Sequence, residues 1–235
     1  MYFMVRPSKT FLFNYLEKKL KRVNAAIGLD AASANFKNRA MFKTQKYYGL
    51  DINLEHLKNG LQKYNDQNTF GILADLAKLE QLPQNSVDLI VSTNTLYALP
   101  PDKRLAAIDN LCRLAAPQAQ FLCDLPLDKE FERIKKMLHT NFKQVKIIYY
   151  KNIFSQIYEK IFERNGFLGS HPVAGTRPFR FLAWLISLTE YLTCKLSFLN
   201  KHVLFVAKTK KDHPDKNQFN LSNIRKINPK IFDLT

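Results

Sequence analysis

Residues 25–53 read AAIGLDAASANFKNRAMFKTQKYYGLDIN, and the fold turns on how this stretch is read. An apolar run ends at Asp30, a turn of small residues follows, and a second run ends at Asp51. The spacing predicts a strand, a tight turn, a short helix and a second strand. The two strand-end carboxylates stand 21 residues apart. In a doubly wound sheet, ligands bind outside the carboxyl ends of the strands. There a small-residue turn lets the backbone approach the ligand, and an acid about 20 residues on accepts hydrogen bonds from a ribose.

Outward from this unit the pattern repeats. Asn53 is placed to cap a helix striped by Leu54, Leu57, Leu61 and Tyr64, and Thr69–Leu73 reads as a third strand ending at Ala74-Asp75-Leu76. Val87–Ser92 is an apolar run of the length expected for a strand buried on both faces. A helix from Asp102 through Ala115, a strand over 120–125, a helix over 129–139 and a strand over 144–150 follow. Alternating units of this length predict an α/β protein with a parallel sheet.

Residues 25–53 resemble motif I and the following acidic strand end of class I S-adenosylmethionine-dependent methyltransferases. Asp30-Ala31-Ala32-Ser33-Ala34-Asn35 stands where that family usually writes Asp-x-Gly-x-Gly. Three further segments match in order. Ile72-Leu73-Ala74-Asp75-Leu76 resembles the strand end whose acid meets the adenine amino group. Leu82 to Ile90 resembles the lead into the fourth strand, with Asp88 structural. Ser92-Thr93-Asn94-Thr95-Leu96-Tyr97-Ala98-Leu99 resembles the loop beneath the methionine part of the cofactor.

The resemblance covers residues 25–125 and is nearest to the small-molecule type of the superfamily. It implies a Rossmann-like fold: a mostly parallel seven-stranded sheet with an antiparallel last strand, helices on both faces and a helical insertion before the last strand. It implies S-adenosyl-L-methionine as cofactor, bound through Asp30, Ala32, Ser33, Ala34, Asp51, Ile52, Asp75, Leu76, Ser92 and Asn94. The chain departs from the family at Ala32 and Ala34, where glycine supplies positive φ or clearance beside the ligand. That departure keeps a second reading open, a methyltransferase-fold binding protein without turnover.

The net charge of +16 is unevenly spread, since residues 24–150 carry 16 basic and 13 acidic side chains. Thirteen of the 16 excess charges therefore lie outside the cofactor-type core. A basic fringe on a near-neutral core points to an anionic partner (phospholipid, nucleic acid or a phosphorylated substrate) or simply to solubility charge. An RNA methyltransferase is a third reading, but Asn94-Thr95-Leu96-Tyr97 replaces the Asn-Pro-Pro-aromatic tetrapeptide used on nucleobase amines. Cys112, Cys123 and Cys194 are scattered without metal-ligand spacing, so no metal is expected and a reducing compartment fits. With no secretory signal and no stretch of membrane-spanning length, the expected location is cytoplasmic, with peripheral membrane contact open.

The flanking regions divide as 1–23, 151–201, 202–208 and 209–235. Residues 8–23 read as an opening helix capped by Ser8, with Leu12, Leu16, Leu20 and Val23 on one face, packed on the domain or touching a membrane. Residues 151–201 form a helical insertion before the last strand, 202–208, and are expected to cover the acceptor. The insertion holds a helix over 152–164, a turn-rich segment at 165–172 and an apolar helix over 179–198. The last of these is read as packed on the sheet, as a lid, or as shallowly inserted in a membrane. Residues 209–235 read as a mobile basic tail. His171, in the insertion, and Tyr97, past the fourth strand, are the candidates for the chemistry, as base and as neighbour of the transferred methyl.

Overall fold

The computed structural model describes residues 2–163, 171–211 and 215–235. Its chain forms two compact units, Leu20–Lys146 with Phe205–Thr235, and Met1–Lys19 with Ile147–Leu204.

The first unit is the alternating core. Strands β1 (Ala25–Ala31), β2 (Thr44–Asp51), β3 (Thr69–Leu73), β4 (Val87–Ser92) and β5 (Ala115–Pro126) pair with one another in parallel. Helices α2 (Leu54–Lys63) and α3 (Pro101–Leu114), numbered after α1 of the second unit, connect them, and α4 (Phe131–Asn141) follows β5. Asn53 caps α2 as the sequence predicts, its side-chain oxygen accepting the N–H groups of Glu55 and His56. Register places the site. Ala31 lies opposite Leu50 and Ser92, and Asp51 opposite Leu73, so residues 32–34, 51–52, 74–76 and 93–95 emerge along one edge of the sheet.

Two expectations about this unit are corrected. No α-helix forms between β1 and β2; residues 39–41 make a single 3₁₀ turn, because the connection is short and Phe36 is drawn beneath it. The sheet has nine strands rather than seven, in the order β6-β7-β5-β4-β1-β2-β3-β9-β8, with β6 (Phe142–Asn152) and β7 (Asn200–Lys210) each shared between the units. The extra strands are β8 (Arg225–Asn228) and β9 (Ile231–Asp233), made from what the sequence presents as a tail. The final strand, β9, runs parallel to β3 and pairs antiparallel with β8. Ile231 is fully buried, and Phe232 joins Tyr48 and Phe70 in an aromatic cluster. Isolated apolar residues in a polar stretch are thus enough to cover the open edge of β3.

The second unit contains α1 (Pro7–Leu20, its last residue in the core unit), the adjoining ends of β6 and β7, α5 (Ile153–Phe162) and α6 (Arg177–Thr193). Helix α1 starts one residue before Ser8, whose hydroxyl donates to Glu159 instead of capping. Its Leu12, Leu16 and Leu20 are buried as the periodicity predicts, so its apolar face is not available to a membrane. Helix α6 is different. Its buried residues are Ala183, Ser187, Glu190 and Thr193, while Phe181, Leu182, Leu185, Leu188 and Leu192 face outward. Inward packing of its large apolar side chains is partial, with Ile186 against Tyr158 and Ala183 and Tyr191 edge-on to Phe11. The turn-rich segment expected at 165–172 lies, up to residue 170, outside the described residues.

Candidate functional site

The turn after β1 keeps the backbone of a glycine loop without its glycines. Ala32, Ala34 and Phe36 have φ of 58°, 48° and 54°. Each left-handed L-residue costs roughly 1–2 kcal/mol. Sequence reading identifies the first two as glycine positions; the third, Phe36, continues the alternation and was not marked. The strain is held by tertiary contacts. Phe36 is fully buried, and a Cβ on Gly49 of β2 or Gly60 of α2 would lie 2.2 or 2.6 Å from its ring. Those two glycines make the room that Phe36 fills. Ser33 N–H donates to Leu50 O at 2.8 Å, and Ala34 N–H donates to Asp51 Oδ2 at 2.8 Å.

Asp51 is the hub of this edge. Its Oδ1 accepts Asn53 N–H at 3.0 Å and lies 3.3 Å from His56 Nδ1. Beyond those bonds its carboxylate still has lone pairs, and the residue borders a cavity of about 320 Å³. That volume is within the usual range of small-molecule sites, about 300–1,000 Å³. Of the residues that the sequence marks for cofactor binding, Ala32, Ala34, Asp51, Ile52, Asp75, Leu76 and Asn94 line the cavity. Asn94 has φ of 60°, and its N–H donates to Asp124 Oδ1 at 2.6 Å, which fixes the loop after β4.

Three of the marked residues lie elsewhere. Asp30, Ser33 and Ser92 are fully buried and do not border the cavity. Asp30 instead accepts Asn38 Nδ2–H at 2.9 Å and the Tyr47 hydroxyl at 2.8 Å. Burial pushes its carboxyl up to about 6, against the opposing pull of the Asn38 and Tyr47 hydrogen bonds. It buttresses the turn from below.

Lys37, His56, Thr95 and Leu99 line the cavity without having been singled out. Lys37 Nζ donates to Thr93 O at 3.1 Å, tying the first loop to the fourth. His56 carried a usable signal, since it stands one helical turn past the Asn53 cap, directly after the acid. Tyr97, half exposed in a 3₁₀ turn, is not among the lining residues; its carbonyl accepts from Arg104. His171 belongs to the inserted unit, where its Nδ1 accepts Val173 N–H at 3.3 Å and its ring meets Phe162 edge-on.

Residues 23–123 match the family model of a methyltransferase domain. No curated protein matches the chain in sequence. Among solved structures, the chain is similar to the [4+2]-cyclase SpnF, at 11% identity over 85% of this chain and 81% of that one, with a TM-score of 0.54. It is similar to a putative sarcosine dimethylglycine methyltransferase from Galdieria sulphuraria, at 14% identity over 86% of both chains and a TM-score of 0.54. It is also similar to phosphoethanolamine N-methyltransferase 2 of Haemonchus contortus, solved with phosphomonomethylethanolamine and S-adenosylhomocysteine. There the identity is 14% over 85% of this chain and 52% of that one, with a TM-score of 0.53. The Rossmann-like architecture is common to all three.

Proposed function

We propose that this chain, whose core is a class I S-adenosylmethionine-dependent methyltransferase domain, transfers a methyl group to a small-molecule or lipid-like acceptor. The observation that carries the proposal is the strand-end edge itself. Three successive parallel strands deliver Ala32 and Ala34, Asp51 and Asp75 to one cavity, with the loop backbone still in glycine geometry. The domain implies S-adenosylmethionine as cofactor. Bound there, it would supply an activated methyl on a sulfonium.

The chain's own groups would do the holding. Asp51 offers its remaining lone pairs to ribose hydroxyls, and Asp75 offers a carboxylate to the adenine amino group. Ile52 and Leu76 give the ring an apolar surface, and Ile52 is 67% exposed and therefore free to be covered. Ala32 and Ala34 border the ligand with methyl groups where hydrogen would give closer approach. In-line transfer needs mainly alignment, so a base is required only for an acceptor that must lose a proton. His171 and Tyr97 stay the candidates for that part, and residues 151–201 are proposed to furnish the acceptor's surroundings.

The strained alanines favour one second reading, a binding protein of this fold without turnover. Calorimetric titration with S-adenosylmethionine and S-adenosylhomocysteine separates the two. Micromolar binding is expected, on the order of −8 kcal/mol. Asp51→Asn is expected to weaken it at least tenfold, by about 1.4 kcal/mol or more. A folded protein that binds neither ligand sinks the enzyme reading.

A further inference from the structure

Helices α5 and α6 are built inside out. Along α5 the buried positions are Ser155, Tyr158 and Glu159, while Ile153, Ile157 and Ile161 recur every four residues on the exposed side. Along α6 Ala183 and Glu190 are fully buried, and Leu192, two positions after Glu190, is 82% exposed. The buried carboxylates are hydrogen-bonded. Both Glu190 oxygens accept Asn152 N–H at 3.1 Å and Ser155 donates to one of them, while Glu159 accepts from Ser8 and pairs with Lys151 at 3.3 Å. A helix in water has the opposite arrangement, with apolar residues inside and charges outside. Exposed aliphatic stripes of this kind mark an interaction surface.

Charge identifies what the surface meets. Glu159 and Glu190 are buried, whereas one acid, Glu163, and five cations, Lys160, Arg177, Arg180, Lys195 and Lys201, are exposed. Beside the α5 stripe lies a cavity of about 500 Å³ lined by four cations, Arg6, Lys151, Lys160 and Lys201, against two carboxylates, Glu159 and Glu163, together with Ile153 and Ile157. Arg6, Lys160 and Lys201 form no ion pair among the described residues. A second copy of the chain would bring like charges together across such a face. An acyl phase beneath a layer of phosphate groups would satisfy both the isoleucines and the cations. Among the described residues no helix is long and apolar enough to cross a membrane, so the contact is with its surface.

We infer that the α5 face docks on an anionic phospholipid bilayer. The isoleucine stripe enters the headgroup–acyl boundary, and the Arg6–Lys160–Lys201 cavity receives a lipid phosphate. Docking needs no cofactor and no turnover, so it stands or falls apart from the enzymatic reading.

The test is flotation of the full chain with vesicles of phosphatidylcholine alone and with about a third phosphatidylglycerol. The protein is expected to float with the anionic vesicles, to stay behind with the neutral ones, and to be released by high salt. Ile157→Asp is expected to lower the bound fraction at least tenfold. Lys160→Gln and Lys201→Gln should each lower affinity roughly fivefold, the effect of one cation near the surface. All three side chains are exposed, so unchanged melting confirms that these variants fold. Failure to float with anionic vesicles overturns the inference, as does flotation of Ile157→Asp equal to that of the unmodified chain. A dimer in solution that Ile157→Asp converts to monomer also overturns it, because a second copy would then cover the face.

Discussion

The loop at residues 32–36 and the inserted helices α5 and α6 depart from the ordinary in opposite ways. The loop has the wrong side chains for its backbone, with alanine, alanine and phenylalanine in left-handed geometry, yet Gly49 and Gly60 make the room that Phe36 fills. The helices have regular backbones, yet Ile153, Ile157, Ile161, Leu185, Leu188 and Leu192 are exposed on them. One region spends packing to hold a shape that its sequence resists. The other leaves packing undone. Departures of both kinds collect where a protein meets something else, because there the demands of function override local preference.

The largest expected contrast is between truncations in the two regions. Phe36→Ala should empty the space between Gly49 and Gly60 and destabilise the core by about 3 kcal/mol or more. Ile157→Ala, on the exposed stripe of α5, should change stability by no more than about 0.5 kcal/mol. Denaturant unfolding of both variants reads the difference. Equal losses would break the comparison, because Ile157 would then be packed.

The second contrast concerns pH. Asp30 sits below the loop with its carboxyl raised from 3.8 to about 6 by burial. Between those values the folded chain binds the extra proton, so this group's contribution to stability is greatest at the acid end. It declines by about 3 kcal/mol as the pH rises through the window. His202, in the inserted unit, has the opposite sign. Burial, with Lys151 and Lys9 nearby, lowers it from 6.5 to about 3, so its contribution is lost as pH falls through that range. The two oppose each other, and the useful measurement is the difference between the unmodified chain and Asp30→Asn. That variant is expected to gain relative stability on going from pH 4 to pH 7. A constant difference would mean that Asp30 titrates normally.

The smallest effect is expected at Ala32. Glycine there relieves about 1–2 kcal/mol of left-handed strain and returns about 0.4–1 kcal/mol to the entropy of the unfolded chain. The net gain should lie between zero and about 1.6 kcal/mol by denaturant unfolding, with tighter binding of S-adenosylhomocysteine by calorimetry. Weaker binding would show that the methyl group makes a useful contact and not merely a tolerated one.

The fold was legible because its main signals are short-range. Apolar runs of strand length alternating with amphipathic helices gave β1 through β5 and the helices joining them, and the acids at Asp51 and Asp75 fell at strand ends as read. The last strands were not legible. Ile231 and Phe232 look stranded in a polar segment, and only the bare edge of β3 beside Gly71 gives them a partner. At the site, spacing found the residues but not their directions. Asp30, Ser33 and Ser92 stand at the right places along the chain and point into the core, because Tyr47 and Asn38 claim Asp30 from below. Lys37 entered the cavity through a loop-to-loop bond that no spacing rule encodes.

By itself the sequence determined strands β1 to β5 and helices α2 to α4, the resemblance to a methyltransferase and the acids at the strand ends. These depend on local periodicity and on residues within a few turns of one another. Only the tertiary structure decided that Phe36 takes a third left-handed position, that the C-terminal segment completes the sheet, and that α5 and α6 bury carboxylates while exposing isoleucine and leucine. An α-helix has the same hydrophobic pattern whichever side faces inward. Which side does so depends on the neighbours that satisfy Glu159 and Glu190, and those neighbours are supplied from distant parts of the chain.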